Sequence, residues 1–386
     1  MDYFGLAAMR IIDRYLLRQF VQVFLICFLS LAGLFVVLDA FSNLDEFFKY
    51  TDSTGDLVGM MGEYYAFRTL MFFEQLGGVL ALIAAMFTVT WIQRHNELTA
   101  LMAAGISRLR VVTPVILAAA VISLINAAGR ECVIPHFRAQ LSRSARDLQG
   151  DQAQKLQPRE DHRTYIILGG AQTFANEQRI QDASFLLPRE LDQWGAQLIA
   201  ANAYYRQPRA DRPGGYLLKG VTQPVDLAAR ASLQLAGERV VITPHDEPDW
   251  LAGDECFVVS DITFDQLTGG KSWRQFSSTA ELVRGLRNPS LDYGADVRVA
   301  IHTRFVQPLL DVTLLFLGLP LVLTRENRNV FLAIGLCLLL VSLFLIVVLA
   351  GQYLGTVYLI SPALAVWLPL MLFVPLAVGM FETVRR

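Results

Sequence analysis

The sequence predicts an integral membrane α-helical protein of six transmembrane helices, split three and three, with an external all-β, jellyroll-like domain inserted between helices three and four. Three observations predict it. Apolar residues make up 54% of the 386-residue chain and charged residues 18%, against roughly 45–50% and 25% in soluble domains. Six apolar stretches are long enough, at roughly 20 residues, to cross a hydrocarbon core of about 30 Å as helices. One long, more polar segment between the third and fourth is rich in β-branched and aromatic runs.

The spans are placed at Val21–Phe41, Thr69–Ile92, Val111–Gly129, Phe305–Thr324, Val330–Gly351 and Val357–Phe381. The first is too long for the apolar region of a cleavable signal, and no A-x-A site follows it. Arg10, Arg14 and Arg18 precede span one, Arg94, Arg108 and Arg110 separate two and three, Arg325 and Arg328 separate four and five, and Arg385 and Arg386 close the chain. All of these share one side if six helices alternate, while the opposite short segments carry little beyond Lys49 and Arg68. The positive-inside rule then puts both termini in the cytoplasm. An amphipathic piece from Asn43 to Tyr50 and on to Arg68 is expected along the outer interface.

Residues 1–130 thus form the first helical half, 131–303 the external domain with its helical connectors, and 304–386 the second half. The external strands are expected at Tyr165–Leu168, Arg179–Leu187, Gln197–Tyr205, Tyr216–Val221, Arg239–Thr243 and Phe257–Leu267, with inward alternation as at Ile180, Ala183 and Phe185. Pro135–Leu156 reads as a helical stalk before them, and Ser277–Arg287 as a helix leading back to the membrane.

Function classes narrow in the same way. A net charge of −2 and a pI near 6.2, with no basic stripe, exclude a nucleic-acid reader. Cys27 and Cys337 fall in spans, where a thiol behaves as a small hydrophobe. Cys132 and Cys256 are both external on this topology, one at the membrane and one deep in the β domain, which disfavours a disulfide. Thr268–Ser272 reads TGGKS, but the first glycine of a phosphate-binding loop would fall at Asp265, so a polar turn is expected. His245, Asp246, Glu247 and Asp249 lack the spacing of metal ligands and read as a solvated turn. Gly105–Ile106–Ser107 lacks the second glycine of a nucleophile elbow. His95, His136, His162 and His302 have no Ser or Cys partner within their segments. No catalytic constellation is visible, so no enzyme activity or resident cofactor is expected.

Two features remain. Gln93–Arg110 starts polar, carries Leu98, Leu101 and Met102 at helical spacing over about 94–106, and stops at Gly105, where a left-handed helix terminator is expected. A short helix held between spans is a handle for a soluble partner; a loop resting its apolar residues on the bilayer satisfies the same pattern. Within the spans, Asp39 and Glu74 lie near ends and reach the interface. Asp311 lies about two turns into span four, where a hydrated path and a structural hydrogen bond account for it equally.

Three motifs carry a resemblance: I-D-R-Y-L-L-R (Ile12 to Arg18), N-E-L-T-A-L-M-A-A-G-I-S (Asn96 to Ser107), and Arg304 with Pro308 and L-P-L (Leu319 to Leu321). With the three-plus-three arrangement around an external β domain, the chain resembles the LptF/LptG permease family. The resemblance implies a permease subunit of an ABC transporter that extracts lipopolysaccharide from the bacterial inner membrane and passes it to a periplasmic bridge. The segment between spans two and three would be the coupling helix. Its Glu97 would dock in a groove of a cytoplasmic ATPase dimer and pair with a base there, with Leu98, Leu101, Met102, Ala104 and Gly105 completing the contact. The partner ATPase would bind ATP and Mg, a second permease half would complete the cavity, and spans one and five would form lateral gates. The external domain would be a periplasmic β-jellyroll that receives lipid A chains and hands them to a bridge jellyroll protein. Asp39, Arg304 and Asp311 are the candidates along the substrate path.

The chain departs from the family pattern in two places. Val36, Val37 and Leu38, then Asp39, stand where relatives carry a base late in span one. Gly77–Gly78 stands where they carry a proline, still allowing a bend. Two other classes satisfy the same architecture: a mechanotransmitting ABC subunit that moves no lipid, and a membrane-anchored envelope enzyme.

Overall fold

The computed structural model describes residues 11–49, 54–142, 153–209, 212–235, 237–268, 270–323 and 330–385. Arg10, Arg325, Arg328, Arg386, the middle of the expected stalk and Gly269 lie outside them. Two compact units emerge, one helical (residues 1–141 and 294–386) and one mostly β (142–293).

Among the described residues, six helices are long and apolar enough to cross a membrane. They are α1 (Ile11–Phe48), α2 (Thr54–Arg94), α4 (Arg108–Ala128), α10 (Ala295–Leu323), α11 (Val330–Thr356) and α12 (Pro362–Arg385), with the short α3 (Glu97–Ala103) between α2 and α4. The expected interfacial piece at Asn43–Arg68 is not a separate element: it is the end of α1 and the start of α2. At 1.5 Å per residue α1 extends about 57 Å, well past a hydrocarbon core. On either side of residues 49–53 extending an existing helix costs less than starting a new one. The sixth helix begins at Pro362, not Val357, because Tyr358 takes a left-handed conformation (φ 57°) and a proline favours a first helical turn.

The helical core is unevenly shared. Of the apolar window of α10, 61% is buried, against 11% for α1. Thus α10 is the central post, packed by Val306, Leu310, Leu314 and Leu317. Past its second turn α1 has few buried residues, chiefly Phe20, Phe24 and Ala32. Through Gly77–Gly78 α2 runs as one continuous helix. The glycines permit close approach: a Cβ on Gly78 would lie 2.4 Å from the Asp311 carboxylate, and one on Gly77 would lie 2.2 Å from the Asn126 amide.

In the other unit, ten strands among the described residues join in one antiparallel sheet along the path β1-β4-β5-β6-β7-β10-β9-β8, with β2 and β3 attached through β5. They are β1 (Gln154–Lys155), β2 (Arg159–Asp161), β3 (Ile166–Leu168), β4 (Gln172–Phe174), β5 (Arg179–Leu186), β6 (Gln197–Arg206), β7 (Gly215–Gln223), β8 (Leu233–Leu235), β9 (Glu238–Ile242) and β10 (Glu255–Val259). Ile180, Ala183 and Phe185 are all fully buried as expected. Asp182, in the left-handed region (φ 50°), interrupts the strict alternation between the first two. Tyr216, fully buried, donates its hydroxyl to the Ile262 carbonyl at 3.1 Å, which satisfies a polar group within the core.

Several expectations are corrected here. Among the described residues of the expected stalk, α5 (Ile134–His136) and α6 (Arg138–Ser142) are helical and Gln154–Lys155 is already strand. Phe257–Leu267 is half strand and half helix, with α7 at Phe264–Thr268 and α8 at Gly270–Phe276. TGGKS therefore straddles two short helices and is not a turn after a strand. The helix expected at Ser277–Arg287 is α9 (Thr279–Leu286), started by a capping box in which Ser278 and Glu281 satisfy each other's backbone amides. Cys132 and Cys256 are free thiols.

Candidate functional site

The connection between α2 and α4 is built by backbone chemistry. Asn96, in the left-handed region (φ 62°), turns the chain out of α2, a conformation asparagine tolerates better than most residues. After α3, Gly105 (φ 81°) donates to the Met102 carbonyl at 2.9 Å and Ile106 donates to the Leu101 carbonyl at 3.0 Å. That pair of bonds is a Schellman cap, and only glycine takes its pivotal position without strain. Ser107 then caps α4 by accepting from the Arg110 amide. The seven-residue helix thus ends in a glycine cap, as the Gly105 terminator predicts, while Asn96 at its start makes no side-chain cap bond.

The faces of α3 divide differently from the sequence expectation. Leu98 is 6% exposed and belongs to the core of this chain, and Leu101, Met102 and Ile106 pack half-buried against it. Leu98 anchors the helix, while Leu101 and Met102 keep part of their surface exposed. The exposed face consists of Thr99, Ala100, Ala103, Ala104 and Gly105, a smooth strip of small residues beside Glu97. Glu97 is partly exposed, and its two carboxylate oxygens accept from the Tyr15 hydroxyl at 3.3 and 3.2 Å.

A second polar assembly lies among α2, α4 and α10. A five-residue π-helical segment, Gly129–Val133, continues α4 and presents Arg130 and Glu131 to different neighbours. Arg130 pairs with Glu74 of α2 at 3.1 Å, and Glu131 with Arg304 of α10 at 3.6 Å. Two turns further, Asp311 accepts from Ser123 at 2.7 Å and from Gln307 at 3.1 Å. A cavity of about 70 Å³ opens between Glu74, Arg130, Arg304 and Asp311, large enough for a few waters and lined by groups that would hold them. Arg304 and Asp311 therefore share one site, and Asp39 stands apart, accepting from the Tyr65 hydroxyl at 2.9 Å. Sequence reasoning missed Arg130 and Glu131 as members. Their signal is an adjacent opposite-charge pair at a span end.

The family model described as lipopolysaccharide export system permease LptF/LptG matches residues 14–185 and 259–383, which includes α3 and every residue of the cavity. The chain belongs to the LptF/LptG permease family. Comparison with individual curated proteins gives no match. As an LptF/LptG permease it is an inner-membrane protein of lipopolysaccharide export by an ABC transporter, and its helices and antiparallel β unit are the architecture of that family. The two matched segments flank residues 186–258, so the unmatched stretch is the middle of the β unit, from the end of β5 to most of β10.

Proposed function

We propose that this permease half receives force from a cytoplasmic ATPase dimer at α3 and uses it to move lipopolysaccharide from the inner membrane toward a periplasmic bridge. The observation that carries the reading is the build of α3: a glycine-capped helix, rooted by Leu98, that offers one carboxylate beside a strip of small residues. Small side chains let a partner's groove approach the helix backbone, and a charge-assisted bond to Glu97 then sets the register. The Lys and Arg distribution supports cytoplasmic termini, a cytoplasmic α3 and a periplasmic β unit. ATP and Mg belong to the partner subunit, and a second permease half completes the substrate cavity. The β unit serves as the acceptor for acyl chains. The Arg304–Asp311 site lies in the path or holds the helices that line it.

The test is Glu97→Ala in the full complex. The variant inserts at normal levels but loses ATPase co-purification and lipopolysaccharide release. Full partner binding and transport by the variant would overturn the coupling role. Photo-crosslinkers at Leu198 and Leu218, which face the β core, separate transport from pure force transmission, since only a lipid conduit captures lipopolysaccharide there.

A further inference from the structure

Two side-chain bonds tie the base of α1 to the two ends of the docking segment. Tyr15 donates to both oxygens of Glu97, the first residue of α3, and Asp13 accepts from Arg110, in the first turn of α4, at 2.7 Å. Tyr15 and Asp13 are two residues apart, so a single turn of α1 grips both sides of the short loop. Apolar packing reinforces the grip, because Ile12, Leu16 and Phe20 follow helical spacing into the same core as Leu98, Leu101 and Ile106.

Beyond that base one side of α1 packs on α2, through Phe24 and Phe28 against Phe73, Phe35 against Phe72, and Phe47 against Tyr64 and Tyr65, while its other side faces outward. Leu25, Ile26, Leu29, Leu34 and Leu38 are all exposed, and only 11% of the span's apolar window is buried. A continuous helix gripped at its base acts as a lever for whatever displaces that base. We propose that Tyr15 and Asp13 are positioning residues that transmit displacement of the docking segment directly to α1, so that α1 tilts when Glu97 is pulled. The central α10, 61% buried, is the fixed reference against which that tilt occurs. The inference rests on Glu97 being the docking acid. It adds a route by which force leaves α3 other than the chain itself through α2 and α4.

The experiment uses the complete transporter reconstituted in lipid vesicles, with Tyr15→Phe, Asp13→Asn and the double variant. Tyr15→Phe keeps the ring and deletes only the hydroxyl, so it stays informative if the double variant does not fold. Expected are normal ATPase co-purification and a fall of at least about fivefold in lipopolysaccharide released per ATP for the double variant, the low end of ordinary coupling between sites. Spin labels at Leu29 on α1 and Leu309 on α10, both exposed, report an ATP-dependent distance change in the wild type that the double variant loses. Asp13→Arg with Arg110→Asp restores the ratio if the pair acts through its charge contact. An unchanged ratio and an unchanged distance response overturn the proposal. If those persist while Glu97→Ala still loses the ATPase, only the lever falls; if Glu97→Ala keeps it, the docking assignment falls first.

Discussion

In the helical unit, Arg304 has 3% of its side chain exposed and faces Glu131 from another helix, whereas in the β unit Arg239 and Glu247 pair with 50% and 41% exposed. The fully buried acid of the β unit, Asp161, is satisfied locally by the Ser260 hydroxyl and the Arg163 amide. The contrast follows from the solvent. A water-exposed domain is held by moving apolar area out of water, so its ion pairs stay at the surface and contribute little. Helices in lipid gain no such term by packing on one another, so specific association falls to close contacts and to polar groups that find partners only in one arrangement. The same residue types therefore specify structure in one unit and solvate the other.

That difference is open to measurement, and the largest effect is expected at Arg304. Arg304→Ala removes a buried side chain and its 3.6 Å contact with Glu131, which is itself 38% exposed, and is expected to cost about 2 kcal/mol through lost packing and polar contacts. Arg239→Ala in the β unit is expected to cost under about 0.5 kcal/mol. Thermal unfolding of the purified full chain in detergent, followed by fluorescence, measures both. Equal costs would erase the distinction between the two units.

A comparable effect tests the close-packing half of the argument. Gly78→Ala places a methyl group where the Asp311 carboxylate stands, 2.4 Å away, and is expected to cost about 1–3 kcal/mol by overpacking. Gly253→Ala, with nothing within 4 Å of its added Cβ, is expected to be neutral in the same assay. If Gly78→Ala were equally neutral, α2 and α10 would not depend on their close approach.

Much of this was legible beforehand, and the misses have common causes. Span number follows from composition because a bilayer demands about 20 apolar residues whatever the packing. The end of α3 follows from Gly105, since few residues accept its backbone angles. Helical spacing of Leu98, Leu101 and Met102 identifies an apolar face, but periodicity says nothing of what covers it. Hence the expectation of a partner contact where the chain covers Leu98 itself. At Gly77–Gly78 the sequence permits flexure and close approach alike, and only the neighbouring side chains reveal the close approach. The pairs Glu74–Arg130 and Glu131–Arg304 depend on helix rotation and on the π-helical segment, neither of which a one-dimensional pattern encodes. Phe257–Leu267 divided into strand and helix because short apolar runs fit both periods.

The smallest expected effect is electrostatic and lies in the β unit. Asp246 accepts from the Ser232 amide at 2.8 Å and lies 2.9 Å from His245 Nδ1. The Ser232 bonds, and then His245, hold its carboxyl well below the usual carboxylate range. A depressed folded-state pKa means that the carboxylate stabilises the fold at any pH above the ordinary unfolded value, and that this contribution is lost as pH falls through the folded value. The side chain lies at the surface with 26% of its area exposed, and solvent screening is expected to keep the contribution under about 1 kcal/mol. Asp246→Asn should lower the melting temperature slightly at neutral pH, and the gap between variant and wild type should narrow as the pH falls below about 4. A gap that widens on acidification would mean that the carboxyl does not act as a charged acceptor, and the surface of the β unit would then be as indifferent to Asp246 as it is expected to be to Arg239.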